Sequence, residues 1–245
     1  MPIEDILRNT EQRLFTAQDS VCLERAELVT EAMEDYRTEP APLRHARCFA
    51  HVLENMTLTP EWNPVMAGNT STRPRGWMLI PEFGFRVAPQ IGFEHPDLAH
   101  ILDGDAVPDS MRAFWQEVRG SGDGPGGIGH LSLDFEHVVR HGLHGILAEI
   151  DKVKDSGSKE QQIYRRAMRI SCEAVIHWAC RYAEAFGQCA AATGDADLKA
   201  CYQRVSRACV HVPAEPARTL FEGLQSILLL HLATVIEGQG LSVSV

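Results

Sequence analysis

A glycine-rich loop that ends in a histidine is the stretch of this sequence best suited to chemistry. The glycines Gly126, Gly127 and Gly129 occupy three of four positions and allow backbone conformations that a Cβ atom would forbid. His130 follows at once, and Asp134 opens an amphipathic run. A loop that presents a histidine ahead of a helix can build a small-molecule site on a rigid support. The alternative is that His130 satisfies loop carbonyls or caps the helix, and Asp134 has the position of a helix N-cap.

Two arginines form the second candidate site. Arg73 and Arg75 flank a proline, and guanidinium groups can bind a carboxylate or phosphate through two hydrogen bonds. In so acidic a chain, a structural clamp to nearby acidic helices is the interpretation we favour. The glycines of 126–129 do not form a phosphate loop, because no Lys-Ser/Thr pair follows them.

Three histidines form the third candidate. His137, His141 and His144 have the spacing i, i+4 and i+7, which stacks side chains on one helix face, and neutral imidazole is a good zinc ligand. Three ligands from a single helix rarely complete a closed site, and no cysteine or carboxylate pair is placed to finish this one. We therefore expect a solvated polar face and no metal.

Composition excludes several classes of partner. The chain has 245 residues, a formal net charge of −10 and a pI of about 5.5. Nucleic acid and anionic membranes need a basic surface, so neither is expected as a partner. No signal peptide opens the sequence, and the seven cysteines form no CxxC pair, so reduced thiols in the cytoplasm are expected.

The hydrophobic periodicity predicts a mostly α fold in one domain, 1–245. A helical lead-in covers 1–56, an irregular segment with short helices covers 57–125, and a helical core covers 126–245. Strand-like alternation begins at 238 and runs to the last residue. The helices are expected at 3–36 (one or two), 42–56, 96–102, 108–118, 134–153, 159–192, 195–210 and 217–236.

Three blocks of sequence follow one another along the chain. The first joins Glu24-Arg-Ala-Glu-Leu-Val-Thr-Glu-Ala and Arg44-His-Ala-Arg-Cys-Phe-Ala-His-Val-Leu-Glu-Asn to Ala67-Gly-Asn-Thr, Arg73-Pro-Arg-Gly and Ile80-Pro-Glu. The second joins Gly129-His130 and Asp134-Phe135 to Gly142-Leu-His-Gly-Ile. The third runs from Cys209-Val-His-Val-Pro-Ala-Glu-Pro through Phe221-Glu-Gly-Leu-Gln to Glu237-Gly-Gln-Gly. In this order the blocks resemble the amino-terminal part of glycyl radical enzymes, the pyruvate formate-lyase superfamily, and its dehydratase and decarboxylase-like branches in particular.

This resemblance implies the helical amino-terminal part of an α/β barrel, ending at the start of a barrel strand. Family members use a thiyl cysteine within Gly-Cys-x-Glu and a radical-storing glycine within Arg-Val-x-Gly-Tyr, and neither motif occurs in these 245 residues. The resemblance implies that His130 hydrogen-bonds a hydroxyl or carboxylate of a small-molecule substrate. It also implies anaerobic metabolism, a homodimer and a radical S-adenosylmethionine activating enzyme as partner, with no cofactor bound by this chain itself.

We therefore expect an amino-terminal fragment or truncated homologue of a glycyl radical lyase or dehydratase that acts on a small oxygenated substrate and is inactive alone. The alternative is a stand-alone helical binding or interaction protein that kept the scaffold without the chemistry. A third hypothesis is a metal-binding helical protein that uses His137, His141 and His144.

Overall fold

Helices make up most of the regular structure. The computed structural model describes residues 2–83, 86–88, 107–120, 133–153 and 156–238. Three short strands lie within these ranges: β1 (Ser20–Cys22), β2 (Gly76–Ile80) and β3 (Arg86–Ala88). The helices of these ranges are α1 (Ile3–Thr16), α2 (Glu24–Tyr36), α3 (Ala41–Asn55), α4 (Asp109–Gly120), α5 (Phe135–Lys152), α6 (Lys159–Ala192), α7 (Ala196–His211) and α8 (Leu220–Glu237). The mostly α prediction is confirmed, while the helix expected at 96–102 and nearly all of the strand-like end at 238–245 lie outside the described residues.

The long helix α6 is the centre of the core, and α3 and α7 pack along its two sides. Its residues Trp178, Tyr182 and Phe186 follow one another at four-residue spacing, which places them on one face, and none is more than 1% exposed. The Trp178 and Tyr182 rings meet edge-on with centroids 5.2 Å apart. Trp115 on α4 is also 1% exposed, so all four of these aromatic side chains belong to the buried core.

Side-chain caps explain where the last three helices begin. Ser158 and Gln161 form a reciprocal capping box at the start of α6, which begins and ends where the sequence predicts. The Asp195 carboxylate caps α7 by accepting from the backbone N–H groups of Asp197 and Leu198. Thr219 accepts a hydrogen bond from the backbone N–H of Glu222, so α8 begins at 220 and not at the predicted 217.

The structure contains a three-stranded sheet that the sequence did not predict. One strand interrupts residues 3–36, which were predicted to be helical, and two strands lie within residues 57–125, which were predicted to be irregular with short helices. The strand β1 lies between α1 and α2 and pairs in parallel with β2, with Val21 opposite Trp77. The strand β3 pairs with β2 in antiparallel, with Val87 opposite Leu79. The β2 residues Met78, Leu79 and Ile80 are buried, as expected for the middle strand of this sheet.

Helix α5 is interrupted at Gly142, where a continuous helix was predicted. Gly142 has φ of 68° and ψ of 167°, which is not helical. The next two backbone N–H groups therefore leave the helix pattern: Leu143 donates to the Pro213 carbonyl at 2.8 Å and His144 donates to the Ala214 carbonyl at 3.0 Å. Of the apolar side chains of α5, Val138, Leu143, Leu147 and Ile150 are buried, whereas Val139 and Ile146 are only partly buried.

Helix α8 is the one described helix whose length and apolar composition would allow a membrane span. The helix has 18 residues, of which 39% are buried. In the structure α8 packs against α3, α5, α6 and α7. Leu229, Ala233 and Ile236 are buried in the core, together with the polar side chains of Gln225 and Ser226. This face of α8 therefore belongs to the core.

The break at Gly142 can be tested by adding a methyl group. A Cβ at this position would lie 2.3 Å from the Ala214 carbonyl oxygen, and the positive φ is unfavourable for any L residue. We expect Gly142→Ala to reduce the free energy of unfolding by more than about 2 kcal/mol in chemical denaturation.

Gly187→Ala on α6 is the matched control. A Cβ there would meet only the Ser206 hydroxyl at 3.7 Å, and alanine is the better helix former. This variant should unfold at the same or a higher denaturant concentration. Equal stability of the two variants would contradict a structural role for the break.

Candidate functional site

A cavity of about 920 Å³ lies between α2, α3, α5, α6 and α8. Its size suits a small molecule. Most of its wall is apolar and includes Val29, Met33, Phe49, Val138, Val175 and Leu230. We call this space the central cavity.

A buried arginine organises the polar end of the central cavity. Arg25 on α2 is 4% exposed, and its guanidinium binds the Glu82 carboxylate through two hydrogen bonds of 3.0 and 2.7 Å. Its Nε donates to the Ile236 carbonyl at 2.6 Å, and Nη2 also donates to the Glu237 carbonyl. A buried charge is tolerable only when it is paired and hydrogen-bonded, and here four of the five N–H donors are used.

A histidine on α3 extends this polar group. His45 Nε2 forms a short contact with the carboxylate of Glu237, the last residue of α8. The hydrogen bond with Glu237 raises the pKa of His45 above its ordinary value, although burial of the imidazole lowers it. Together, Arg25, Glu82, His45 and Glu237 join α2, the end of β2, α3 and the end of α8. These four residues are named the Arg25 cluster below.

The cysteines of the central cavity are protonated thiols. Burial raises the pKa of the Cys48 thiol to about 12 and that of the Cys172 thiol to about 11. The thiolate is the nucleophilic form of cysteine, so neither thiol is activated at neutral pH. Within the part of the chain that the structure describes, no group of three His, Cys, Asp or Glu side chains is placed to hold a metal ion. The described part of the cavity therefore has an apolar wall and a polar end where Arg25 pairs with Glu82 and His45 pairs with Glu237.

The predicted glycine loop lies outside the described residues. Gly126, Gly127, Gly129 and His130 all belong to this part, so their roles stay predictions. Asp134 is described, and it occupies the N-cap position of α5, where its Oδ1 accepts from the His137 backbone N–H at 3.0 Å. Asp134 and the neighbouring Leu133 also line the central cavity, so the chain enters α5 at the cavity wall.

The two candidate arginines have different surroundings. Arg75 binds the Asp19 carboxylate through Nε at 2.9 Å and Nη2 at 2.7 Å, and the Trp77 indole donates to the same carboxylate. We expected the acidic partner of Arg75 to lie on a helix. Asp19 lies instead in the connection between α1 and β1. Arg73 is exposed, and its backbone carbonyl accepts from Ser71 and Gly76. Neither arginine lines the central cavity.

The three histidines of α5 are separated by the break at Gly142, so the predicted single face is wrong. The rings of His137 and His141 lie 4.6 Å apart on the first half of the helix. His137 contacts Glu149, while His144 on the second half contacts Glu215 at 2.9 Å. His137 and His144, on opposite sides of the break, therefore contact different carboxylates.

Segments that are far apart in the sequence bind one another through their distinctive residues. The Gln225 side chain accepts from the Ala67 N–H at 2.8 Å and donates to the Ala67 carbonyl at 2.9 Å, in a fully buried position. Tyr182 donates to the Asn69 side chain. The Gly142 break receives the Pro213–Ala214 segment. The Ala-Gly-Asn stretch is thus bound by Gln225 and Tyr182, and the Gly-Leu-His-Gly stretch is bound by the Pro-Ala-Glu-Pro stretch.

Sequence reasoning did not identify the Arg25 cluster as a group. The partners are separated by 57 residues for Arg25 and Glu82 and by 192 for His45 and Glu237, so no local pattern joins them. In the sequence these four residues stand out only as members of the first and third distinctive blocks, in Glu24-Arg, Arg44-His, Ile80-Pro-Glu and Glu237-Gly.

These features coincide with a match to a known family. The sequence profile described as Pyruvate formate lyase-like matches residues 3–245. The chain belongs to this family and corresponds to the amino-terminal portion of a glycyl radical enzyme, as its sequence blocks predicted.

Relatives with known activities are similar over nearly the whole chain. Isethionate sulfite-lyase of Nitratidesulfovibrio vulgaris is 25% identical over 91% of this chain. Trans-4-hydroxy-L-proline dehydratase of Clostridioides difficile is 23% identical over the same share. The structure of the glycerol-bound, B12-independent glycerol dehydratase of Clostridium butyricum covers 96% of this chain with a TM-score of 0.77 and 25% identity. The chain spans about a third of the length of these relatives, 33% of each curated protein and 34% of the solved chain.

Removal of the buried guanidinium tests the Arg25 cluster. Arg25→Met keeps the apolar stem but leaves Glu82 buried without its partner. Because the Arg25 and Glu82 side chains are only 5% and 9% exposed, we expect the free energy of unfolding to fall by about 3–5 kcal/mol.

Arg75→Met is the control, since Arg75 also binds a carboxylate through two hydrogen bonds but its side chain is 38% exposed. Urea denaturation should show little change for this variant, because solvent screens the exposed pair. A similar loss of stability in both variants would mean that burial is not what makes the Arg25 cluster important.

Proposed function

We propose that this chain builds the helical amino-terminal wall of a glycyl radical lyase or dehydratase that acts on a small oxygenated substrate. The observation that carries the proposal is the mutual binding of the distinctive blocks, above all Gln225 with Ala67 and Leu143 with Pro213. Its relatives of matching architecture are lyases and dehydratases. Isethionate, hydroxyproline and glycerol, named for those relatives, share a small skeleton that bears a hydroxyl group.

In this proposal the chain helps to position the substrate and to exclude water from the substrate cavity. The reacting atoms belong to sequence outside these 245 residues. Glycyl radical enzymes generate a thiyl radical that takes a hydrogen atom from the substrate, and neither the Gly-Cys-x-Glu nor the Arg-Val-x-Gly-Tyr motif occurs here. The helices around α6 would hold the substrate cavity in shape, since precise placement accounts for much of the rate in such enzymes. A radical-activating enzyme would be the partner that installs the radical, and the chain itself would bind no cofactor.

His130 is the residue proposed to touch the substrate. Support comes from its position four residues before the Asp134 cap, because Asp134 and Leu133 line the central cavity. An imidazole can donate to a substrate carboxylate or accept from a hydroxyl. Arg75 is already bound to Asp19, which favours a structural role for it, whereas exposed Arg73 keeps the capacity to bind an anion.

The absence of both radical motifs generates a direct test. After treatment with the activating enzyme of a glycyl radical dehydratase and S-adenosylmethionine under anoxic conditions, the 245-residue chain should give no glycyl radical doublet in electron paramagnetic resonance. An intact glycerol dehydratase in a parallel reaction provides the positive control. A doublet equal to about one spin per chain would contradict the proposal.

A stand-alone binding protein is the second candidate function. The closed core around Trp178 and the apolar central cavity are the observations that favour it. A binding protein should be monomeric and melt cooperatively without a partner. The amino-terminal part of a larger enzyme should expose apolar surface meant for the rest of that enzyme and should self-associate. Sedimentation velocity across a concentration series, followed by calorimetry, separates the two.

A further inference from the structure

The last turn of α8 is held by two contacts whose chemistry differs. The Arg25 guanidinium binds the backbone carbonyls of Ile236 and Glu237. The imidazole of His45 binds the Glu237 side chain. Arginine is protonated at every pH that a protein tolerates, whereas histidine changes charge near neutrality. One contact is therefore permanent, and the other responds to pH.

We propose that the His45–Glu237 pair is a proton-operated latch that fastens the last turn of α8 to α3. When His45 is protonated, its imidazolium forms an ion pair with the Glu237 carboxylate, and this ion pair holds the last turn of α8 against α3. When His45 loses its proton, the ion pair is lost, at most a hydrogen bond from the neutral imidazole to the Glu237 carboxylate remains, and the last turn of α8 loosens. Glu237 is followed by Gly238, whose φ of 96° ends the helix, so the latch acts where the chain leaves α8.

Among the charged groups that face His45, Glu237 has the largest effect on the pKa of its imidazole. Glu237 approaches from α8, Glu82 from the turn after β2 and Arg25 from α2. Arg25 and Glu82 bind each other through two hydrogen bonds, so their charges largely compensate. Arg44, beside His45 on α3, directs its guanidinium to the Arg37 carbonyl at 3.0 Å. Glu237 is the carboxylate that contacts the His45 imidazole directly, so a change in the charge of His45 acts on the last turn of α8 through this contact.

The direction of the response follows from the pKa of His45, which the hydrogen bond with Glu237 raises above its ordinary value. A raised pKa means that the folded state binds the proton more tightly than the unfolded state. The stabilising contribution is complete below the ordinary histidine pKa of about 6.5 and is lost as the pH rises through the raised pKa. Arg25 still holds the two carbonyls at high pH, so the loosening is confined to the last turn.

Amide hydrogen exchange measures this latch directly. Protection factors, which correct for the intrinsic effect of pH on exchange, are determined by NMR for Val235, Ile236 and Glu237 between about pH 5.5 and pH 8.5. The amide of Leu229 in the middle of α8 serves as the internal reference. We expect last-turn protection to fall about two- to fivefold relative to Leu229 as the pH rises, the range for a partly exposed ion pair.

Two variants separate the latch from general effects of pH. In His45→Gln the last-turn protection should be low at pH 5.5 and independent of pH. His51→Gln is the matched control, because His51 lies on the same helix and pairs with Glu31 at 3.4 Å away from α8. It should keep the pH dependence of the unaltered protein. If His45→Gln folds poorly, Glu237→Gln, which retains a hydrogen-bonding side chain without the charge, takes its place with the same expected result.

The proposal stands independently of the enzymatic assignment, since it concerns only residues of this chain. It is overturned if last-turn protection in the unaltered protein does not change with pH. It is equally overturned if the fall persists in His45→Gln or Glu237→Gln, or disappears in His51→Gln.

Discussion

The structure depends first on a guanidinium that is buried and must be satisfied. Removing a charge from water costs several kcal/mol unless it is paired and hydrogen-bonded, so the surroundings of Arg25 are tightly constrained. Glu82 must stand at the end of β2 to receive two hydrogen bonds, and α8 must end with its carbonyls toward α2. A single side chain thereby ties together segments at positions 25, 82 and 236. The sheet, α2 and α8 acquire their relative positions from this requirement.

Other distinctive segments are also joined by hydrogen bonds between polar groups that would otherwise lack a partner inside the protein. Gln225 is fully buried and finds both of its partners on the backbone of Ala67, while the open backbone at Gly142 finds its partners at Pro213 and Ala214. Polar groups inside a protein are expensive when unpaired, so each of these contacts excludes alternative arrangements. What results is a wall of helices around an apolar central cavity, where burial raises the pKa of the Cys48 thiol to about 12 and that of the Cys172 thiol to about 11.

Much of the fold followed from the sequence, but its long-range contacts did not. The helix of residues 159–192 was predictable because its aromatic spacing and its flanking turn are local signals. Strands β1 and β3 have three residues each, too few for a periodic pattern, and β1 exists only because Gly76 to Met78 lies beside it. The break in α5 had a visible glycine, yet the requirement for a positive φ came from a segment 70 residues later. Asp134 was recognisable as a cap from its place before an apolar run, whereas the partners of Arg25 and His45 were not, because chain folding alone brings them together.

The sequence of the native transcript beyond the codon for Val245 is the most direct measurement. If this chain is one wall of a larger radical enzyme, the open reading frame should continue to a total of about three times 245 residues, since the chain spans 33% of its curated relatives. That frame should contain Gly-Cys-x-Glu and, near its end, Arg-Val-x-Gly-Tyr. A stop codon directly after Val245 would exclude this assignment and would leave the stand-alone binding protein as the better description.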